Sequence, residues 1–170
     1  MRILAVSDTH GDKLILEELL TQYPDCAAYF YAGDSELEAS SSVFKTYQAV
    51  VGNMDWDDSF PKTLTTDVNG LRVFMTHGHY YGVRSGLDQL LDAGAAANAQ
   101  LIIYGHTHVA LAEQHRGIVV VNPGSISQPR GPLAKLGGMY ALIDVDDQQI
   151  KVQFGTRNGM QPQLTQVFTR

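Results

Sequence analysis

Five short polar clusters carry the residue types that hold divalent cations: Asp8-Thr9-His10, Gly33-Asp34, Gly52-Asn53-Met54-Asp55, His77-Gly78-His79 and His106-Thr107-His108. Five of the six histidines fall in three of them. Carboxylate, imidazole and amide oxygen suit borderline or hard ions such as Mn2+, Fe2+, Zn2+, Co2+ or Ni2+. No cysteine is among them, which argues against an iron–sulfur or soft-metal centre. The candidate ligands Asp8, His10, Asp34, Asn53, His77, His106 and His108 are too many for one tetrahedral zinc, which takes about four. Two ions about 3.5–4 Å apart, sharing a carboxylate, would use them all. Taken singly each cluster is weak: Asp8-x-His10 also reads as a turn with a helix cap, and Gly33-Asp34 and Gly52-Asn53 as plain turns. The weight lies in the set.

The clusters gain meaning from what precedes them. Each follows an apolar run that reads as a strand: Ile3–Val6, Ala27–Tyr31, Tyr47–Val51, Leu71–Met75 and Leu101–Tyr104. In α/β sheets ligands bind at the carboxyl ends of strands, so five clusters on adjacent strands point at one place. Leu14, Ile15, Leu16, Leu19 and Leu20 recur at helical spacing, and Pro24 disfavours helix at Tyr23. A short helix is expected within Ser35–Ser42 and a longer one over Ser85–Ala97. Asn69-Gly70 between two apolar runs predicts a hairpin with a type I′ turn. Further paired strands are expected around Arg116-Gly117 and Asp146-Asp147, with the tail from Arg157 to Arg170 either an edge strand or loosely ordered. The reading is an α/β (α+β) fold of two packed sheets with helices outside, in a single domain spanning 1–170.

Composition narrows the function. The 170 residues fit one domain with its own core. Twelve basic against eighteen acidic residues give a net charge of −6, which argues against nucleic acid or an anionic membrane as the main partner. A small phosphate ester remains compatible, because bound cations reverse the local charge. One cysteine, Cys26, excludes an internal disulfide. No long apolar segment marks a signal peptide or membrane span, so the expected location is the cytoplasm. Phe44, Tyr47 and Trp56 are either core or a surface for self-association into a homo-oligomer.

The ordered series Asp8-x-His10, Gly33-Asp34, Gly52-Asn53-x-Asp55, His77-Gly78-His79 and Gly105-His106-Thr107-His108 resembles the calcineurin-like metallophosphoesterase superfamily, in particular its small prokaryotic phosphodiesterases. The resemblance runs from Met1 to about Val121, and Asn122-Pro123-Gly124-Ser125 through Pro129-Arg130 extends it. It implies a four-layer sandwich of two mixed β-sheets flanked by helices. It assigns Asp8, His10 and His108 to one metal and Asn53, His77 and His106 to the other, with Asp34 and a water or hydroxide bridging them. The ions implied are two divalent cations, Mn2+ first, with Fe, Zn, Ni or Co as alternatives. The implied reaction is direct hydrolysis of a phosphate ester by that hydroxide, most simply a diester, since no cap segment closes the site. Phosphomonoesterase activity is the alternative.

One position departs from the family. Many larger members carry a histidine directly after the motif asparagine; here Met54 stands there. Asp55, whose usual part is to orient that histidine, remains, and His79 becomes the candidate proton donor. Ser125 and Arg130 are candidates for touching phosphate from the rim, and Tyr80, Tyr81 and Arg84 for lining a substrate pocket. A eukaryotic retromer subunit resembles the same fold and serves as a non-catalytic interaction scaffold with a compromised metal site. Every ligand position here holds a competent residue, which favours the enzyme.

Overall fold

The computed structural model describes residues 1–170. Twelve strands form two mixed sheets. The first has the order β11-β10-β9-β1-β2-β3, with β12 beside β10. Strands β1 (Arg2–Val6), β2 (Ala28–Tyr31) and the edge strand β3 (Gln48–Ala49) run parallel, with β9 (Met139–Val145) antiparallel to β1. Outside them lie β10 (Gln149–Thr156), β11 (Gly159–Met160) and β12 (Gln166–Thr169). The second sheet has the order β4-β5-β6-β8-β7: β4 (Thr63–Val68), β5 (Leu71–Thr76), β6 (Leu101–Ile103), β7 (Leu111–His115) and β8 (Ile118–Asn122).

The layers follow from alternation along the strands. Ile3 and Ala5 of β1 face Val73, Met75, Leu101 and Ile103 of the other sheet in one shared core. Leu4 and Val6, one residue out of phase, pack instead on Ile15, Leu16 and Leu19 of α1 (Lys13–Gln22). On the far side Phe74 and Ile102 pack on Leu90 and Leu91 of α2 (Asp88–Ala96). Helix, sheet, sheet and helix thus stack with apolar surface between every pair, and Ile3–Val6 of β1 and Leu101–Ile103 of β6 read as continuous apolar runs because both their faces are covered.

Turn chemistry holds the end opposite the clusters. Asn69 and Gly70 both take positive φ, 49° and 83°, as the expected hairpin turn demands. Arg116-Gly117 does the same between β7 and β8. The tail is ordered: β12 pairs with β10 from Gln149↔Thr169 to Val152↔Gln166.

Three expectations need correction. No α-helix forms within Ser35–Ser42; a 3-10 turn occupies Ser42–Lys45. The amides of Ser35 and Glu36 donate to the Asp55 carboxylate and that of Ala39 to Asp57, so these distant acceptors take the donors a helix would need. The third strand shrinks to Gln48–Ala49. The second helix starts at Asp88, because Ser85 is held in a turn by its amide donating to Gly82. Of the three aromatics in question, Tyr47 is buried and Phe44 stacks edge-on against Phe60 at 4.9 Å, while Trp56 is 63% exposed.

Candidate metal centre

The clusters after β1, β2 and β3 lie side by side at one edge of the first sheet, and those after β5 and β6 at the facing edge of the second. The two edges meet. Ligand atoms of Asp8, His10, Asp34 and His108 all lie within 4.8 Å of one another. His77 adjoins this group, its Nε2 being 3.2 Å from Asp34 Oδ2 and 3.2 Å from Asn53 Oδ1. The His106 ring stands 5.1 Å from that of His77, centroid to centroid. All seven expected ligands are therefore neighbours.

The loops reach this arrangement at a cost in backbone strain. Asp8, His10, Asp34, Glu36, His106 and His108 have φ between 47° and 66°, a region that side-chain-bearing residues avoid. Each such residue costs about 1–3 kcal/mol and persists where surrounding contacts enforce it. Two glycines permit the close approach of neighbouring loops. A Cβ on Gly52 would lie 2.0 Å from Asp34 Oδ1, and one on Gly105 would lie 2.1 Å from Ser7 Oγ.

Hydrogen bonds aim the imidazoles. Nδ1 of His77 donates to the Ala32 carbonyl at 2.6 Å, and Nδ1 of His108 to the Gln128 carbonyl at 2.8 Å. Nδ1 of His10 lies 2.7 Å from the Glu36 carboxylate. With Nδ1 carrying the proton, each Nε2 presents a lone pair to the centre, as in metal sites whose imidazoles are clasped from behind. Nε2 of His10 and Nε2 of His108 face each other at 3.5 Å. Two lone pairs so placed repel unless a proton or cation lies between. Asp8 makes the same demand: its Oδ2 accepts from Ser7 Oγ and the His106 amide, while its buried Oδ1 has no hydrogen-bond partner. Oδ1 lies 3.2 Å from His108 Nε2, close but not aligned for a hydrogen bond. These residues fit a divalent cation.

Titration tells the same story. Burial pushes the His77 and His108 pKa values down, but the Asp34 and Asp8 carboxylates outweigh it and leave both raised. Burial likewise pushes Asp34 up, and its bond to His77 brings it below the usual carboxylate range. In the metal-free chain protons on His77 and His108 thus do part of a cation's work. Burial, with His77 and Arg84 nearby, holds His106 down to about 4, so its ring stays neutral and free to ligate.

The remaining candidates separate. Asp55 touches no ligand side chain; its carboxylate accepts from the amides of Asp34, Ser35, Glu36 and Gly52 and from Ser35 Oγ. It pins the β2 and β3 loops together. His79 sits 5.3 Å from the His77 ring and 6.1 Å from that of His106, half-buried, with Nδ1 unpartnered. Arg130 is exposed, beside Arg84 in a pocket next to the centre. Ser125 corrects the expectation of a phosphate contact: it is fully buried, and its hydroxyl donates to the Asp8 carbonyl while accepting from the Gln128 amide. A hydroxyl without exposed surface braces the Asp8 loop.

Three supporting residues were not among the expected site residues. Glu36 orients His10 from 26 residues away. The buried Tyr31 hydroxyl joins the Thr9 amide to the Asp34 carbonyl, tying two ligand loops. Asn122 Nδ2 donates to the Gly105 carbonyl, fixing the third.

Known proteins agree with this geometry. Residues 1–148 match the model of the calcineurin-like phosphoesterase superfamily domain. The chain is 29% identical to the "Probable metallophosphoesterase YsnB" of Bacillus subtilis, over 94% of this chain and 93% of that one. It is 28% identical to the "Phosphodiesterase YfcE" of Escherichia coli K12, over 90% and 97%. The crystal structure of a conserved protein of Streptococcus pneumoniae TIGR4, a predicted phosphoesterase, superposes with a TM-score of 0.95 at 37% identity, covering 99% of this chain and 97% of that one. With that fold and those converging side chains, the chain belongs to the calcineurin-like phosphoesterase superfamily, among relatives of the small bacterial phosphodiesterases.

Proposed function

We propose that this chain, acting as one domain over residues 1–170, is a two-cation phosphodiesterase of the cytoplasm. The observation that carries the reading is the meeting of unpaired ligand atoms: the facing Nε2 atoms of His10 and His108 beside the orphaned Oδ1 of Asp8, with Asp34 reaching from there to His77, which in turn meets Asn53. Asp8, His10 and His108 would hold one ion and Asn53, His77 and His106 the other, with Asp34 between. Mn2+ is the first candidate, and Fe, Zn, Ni and Co suit the same donors. When bound, such a pair supplies the acidity that makes hydroxide from water near neutral pH and the positive charge that offsets a phosphoryl transition state.

The chain's own residues set the rest. Asp55 holds Asp34 in place through its amide. Asn53 and Met54 are exposed at the mouth, which leaves room for the second substituent of a diester. The name of the E. coli relative supports the same preference. Met54 cannot protonate a leaving group. Burial and His77 lower the His79 pKa, so its imidazole is largely neutral near pH 7 and a poor acid there. Activated aryl esters, which leave without a proton, should therefore turn over much faster than alkyl esters; rates indifferent to leaving-group pKa would contradict this. No helix is long and apolar enough to cross a membrane.

The test is hydrolysis of bis(p-nitrophenyl) phosphate and p-nitrophenyl phosphate by Mn2+-reconstituted protein, with Asp34→Ala as control. The proposal expects the diester to be preferred and both rates to vanish with chelator or in the variant. A greater rate on the monoester would reassign it as a phosphomonoesterase, and chelator-insensitive hydrolysis would overturn it.

A further inference from the structure

Next to the metal centre, on the far side of the His106–His108 loop, a cavity of about 380 Å³ is lined by Val83, Arg84, Tyr104, Thr107, Val109, Leu111 and Arg130. It adjoins the centre directly. Thr107 lies between two ligands, Arg84 donates to the His106 carbonyl at 3.4 Å, and the Arg130 amide donates to the His108 carbonyl at 2.9 Å. Arg2, Arg116 and Arg157 each pair with a carboxylate, whereas Arg84 and Arg130, like Arg72 and Arg170, form no ion pair; Arg84 and Arg130 differ from the latter two in sharing one cavity. A guanidinium offers five N–H donors, and Arg84 commits one, to a long contact. Two cations beside one cavity repel each other until an anion lies between them. Behind them Val83 and Tyr104 are buried and form an apolar floor, which suits the organic body that carries an anionic group.

We propose that this cavity recognises a second anionic group on the substrate, so that the preferred ester carries a phosphate or carboxylate besides the one hydrolysed. The inference rests on the phosphodiesterase reading for its substrate, though not for its binding chemistry. The second anion would sit between Arg84 and Arg130, and its organic connector would lie along Tyr104 and Val109 and pass the Thr107 tip to the metal centre. Such a site converts binding at a distance from the reacting atoms into orientation of the ester.

The test uses two esters with one leaving group: thymidine 5′-(p-nitrophenyl phosphate), with and without a 3′-phosphate. With Mn2+-loaded protein the 3′-phosphorylated ester should show a kcat/KM about tenfold or more higher, the scale of one or two charge-assisted hydrogen bonds. The ratio should collapse towards one in Arg84→Ala and Arg130→Ala, and return only in part in the lysine variants, which lose the planar fork. A parallel arm follows thymidine 3′,5′-bisphosphate binding to metal-free protein by NMR, expecting shifts at Thr107 and Val109 that both alanine variants abolish. Arginine-dependent binding without any hydrolysis would uphold the cavity and sink the phosphodiesterase reading. Equal turnover of both esters, or bisphosphate binding indifferent to both arginines, would overturn the cavity's role while leaving that reading intact. A carboxymethyl group in place of the 3′-phosphate separates phosphate recognition from general anion recognition.

Discussion

Asp8, His10 and His108 are each held from behind by Ser7, Glu36 and the Gln128 carbonyl, whereas Asn53 and His106 on the facing side of Asp34 stand more open. His77 is the exception there, buried and tied to Ala32. The contrast is one of preorganisation. On the first side the cost of positioning ligands is met by the fold before any cation arrives. On the second, an exposed asparagine and a half-buried imidazole must be immobilised as the ion binds. The first side should therefore fill first and hold its ion more tightly.

Several measurements break or sharpen that contrast. The largest effect belongs to Asp34, the proposed bridge: Asp34→Ala should lower diesterase turnover by about a thousandfold or more, as expected if it serves both proposed cations, and bring metal content below two ions per chain by elemental analysis. Next, His106→Ala should cost about a hundredfold in rate yet retain one ion, while His108→Ala should lose the tightly held one; equal metal loss in both would erase the proposed asymmetry.

Asp55→Ala comes third. It deprives the amide donors of two loops of their carboxylate acceptor, and each charge-assisted bond contributes about 1.5–3 kcal/mol before compensation by water. A net loss of about 3 kcal/mol is expected, a fall in Tm of about 6–12 °C, with metal affinity reduced on both sides alike because Asp55 braces Asp34 itself. A variant with unchanged Tm would show that the loops hold without it.

The smallest effect is graded with pH. Raised His77 and His108 values mean that each proton is held to higher pH than in an ordinary histidine, and a cation must displace it. In the metal-free chain those protons contribute stability fully present below the unfolded value of about 6.5 and lost as pH rises through the raised ones. Mn2+ affinity should run the opposite way, falling by up to about tenfold per pH unit for each proton displaced as pH drops through that range. Calorimetry in buffers of different ionisation enthalpy counts the protons released; none released would contradict the pairing of His77 with Asp34 and His108 with Asp8.

The legible part of this molecule was the part written in local pattern. Asp8, His10, Asp34, Asn53, His77, His106 and His108 each follow an apolar run, and the strand ends bring them together as that placement implies. Asn69-Gly70 announced its turn because few residue pairs accept two positive φ values. What stayed hidden depends on partners remote in the chain. The serine-rich segment after Asp34 looked able to form a helix, but Asp55 and Asp57 take its amides from about twenty residues away. Glu36 bears no local mark of its role and clasps His10 from 26 residues away. Ser125 looked like a phosphate contact because it sits in a glycine-rich loop; its burial follows from how β8 leads that loop beneath Asp8, which no local signal records.

The central claim is that residues from both sheets hold a pair of cations. Anomalous diffraction from crystals soaked with Mn2+ tests it directly. The account predicts two peaks, one within bonding distance of Asp8, His10 and His108, the other of Asn53, His77 and His106, with Asp34 touching both. One peak alone at saturating Mn2+, or peaks away from these seven side chains, would contradict it.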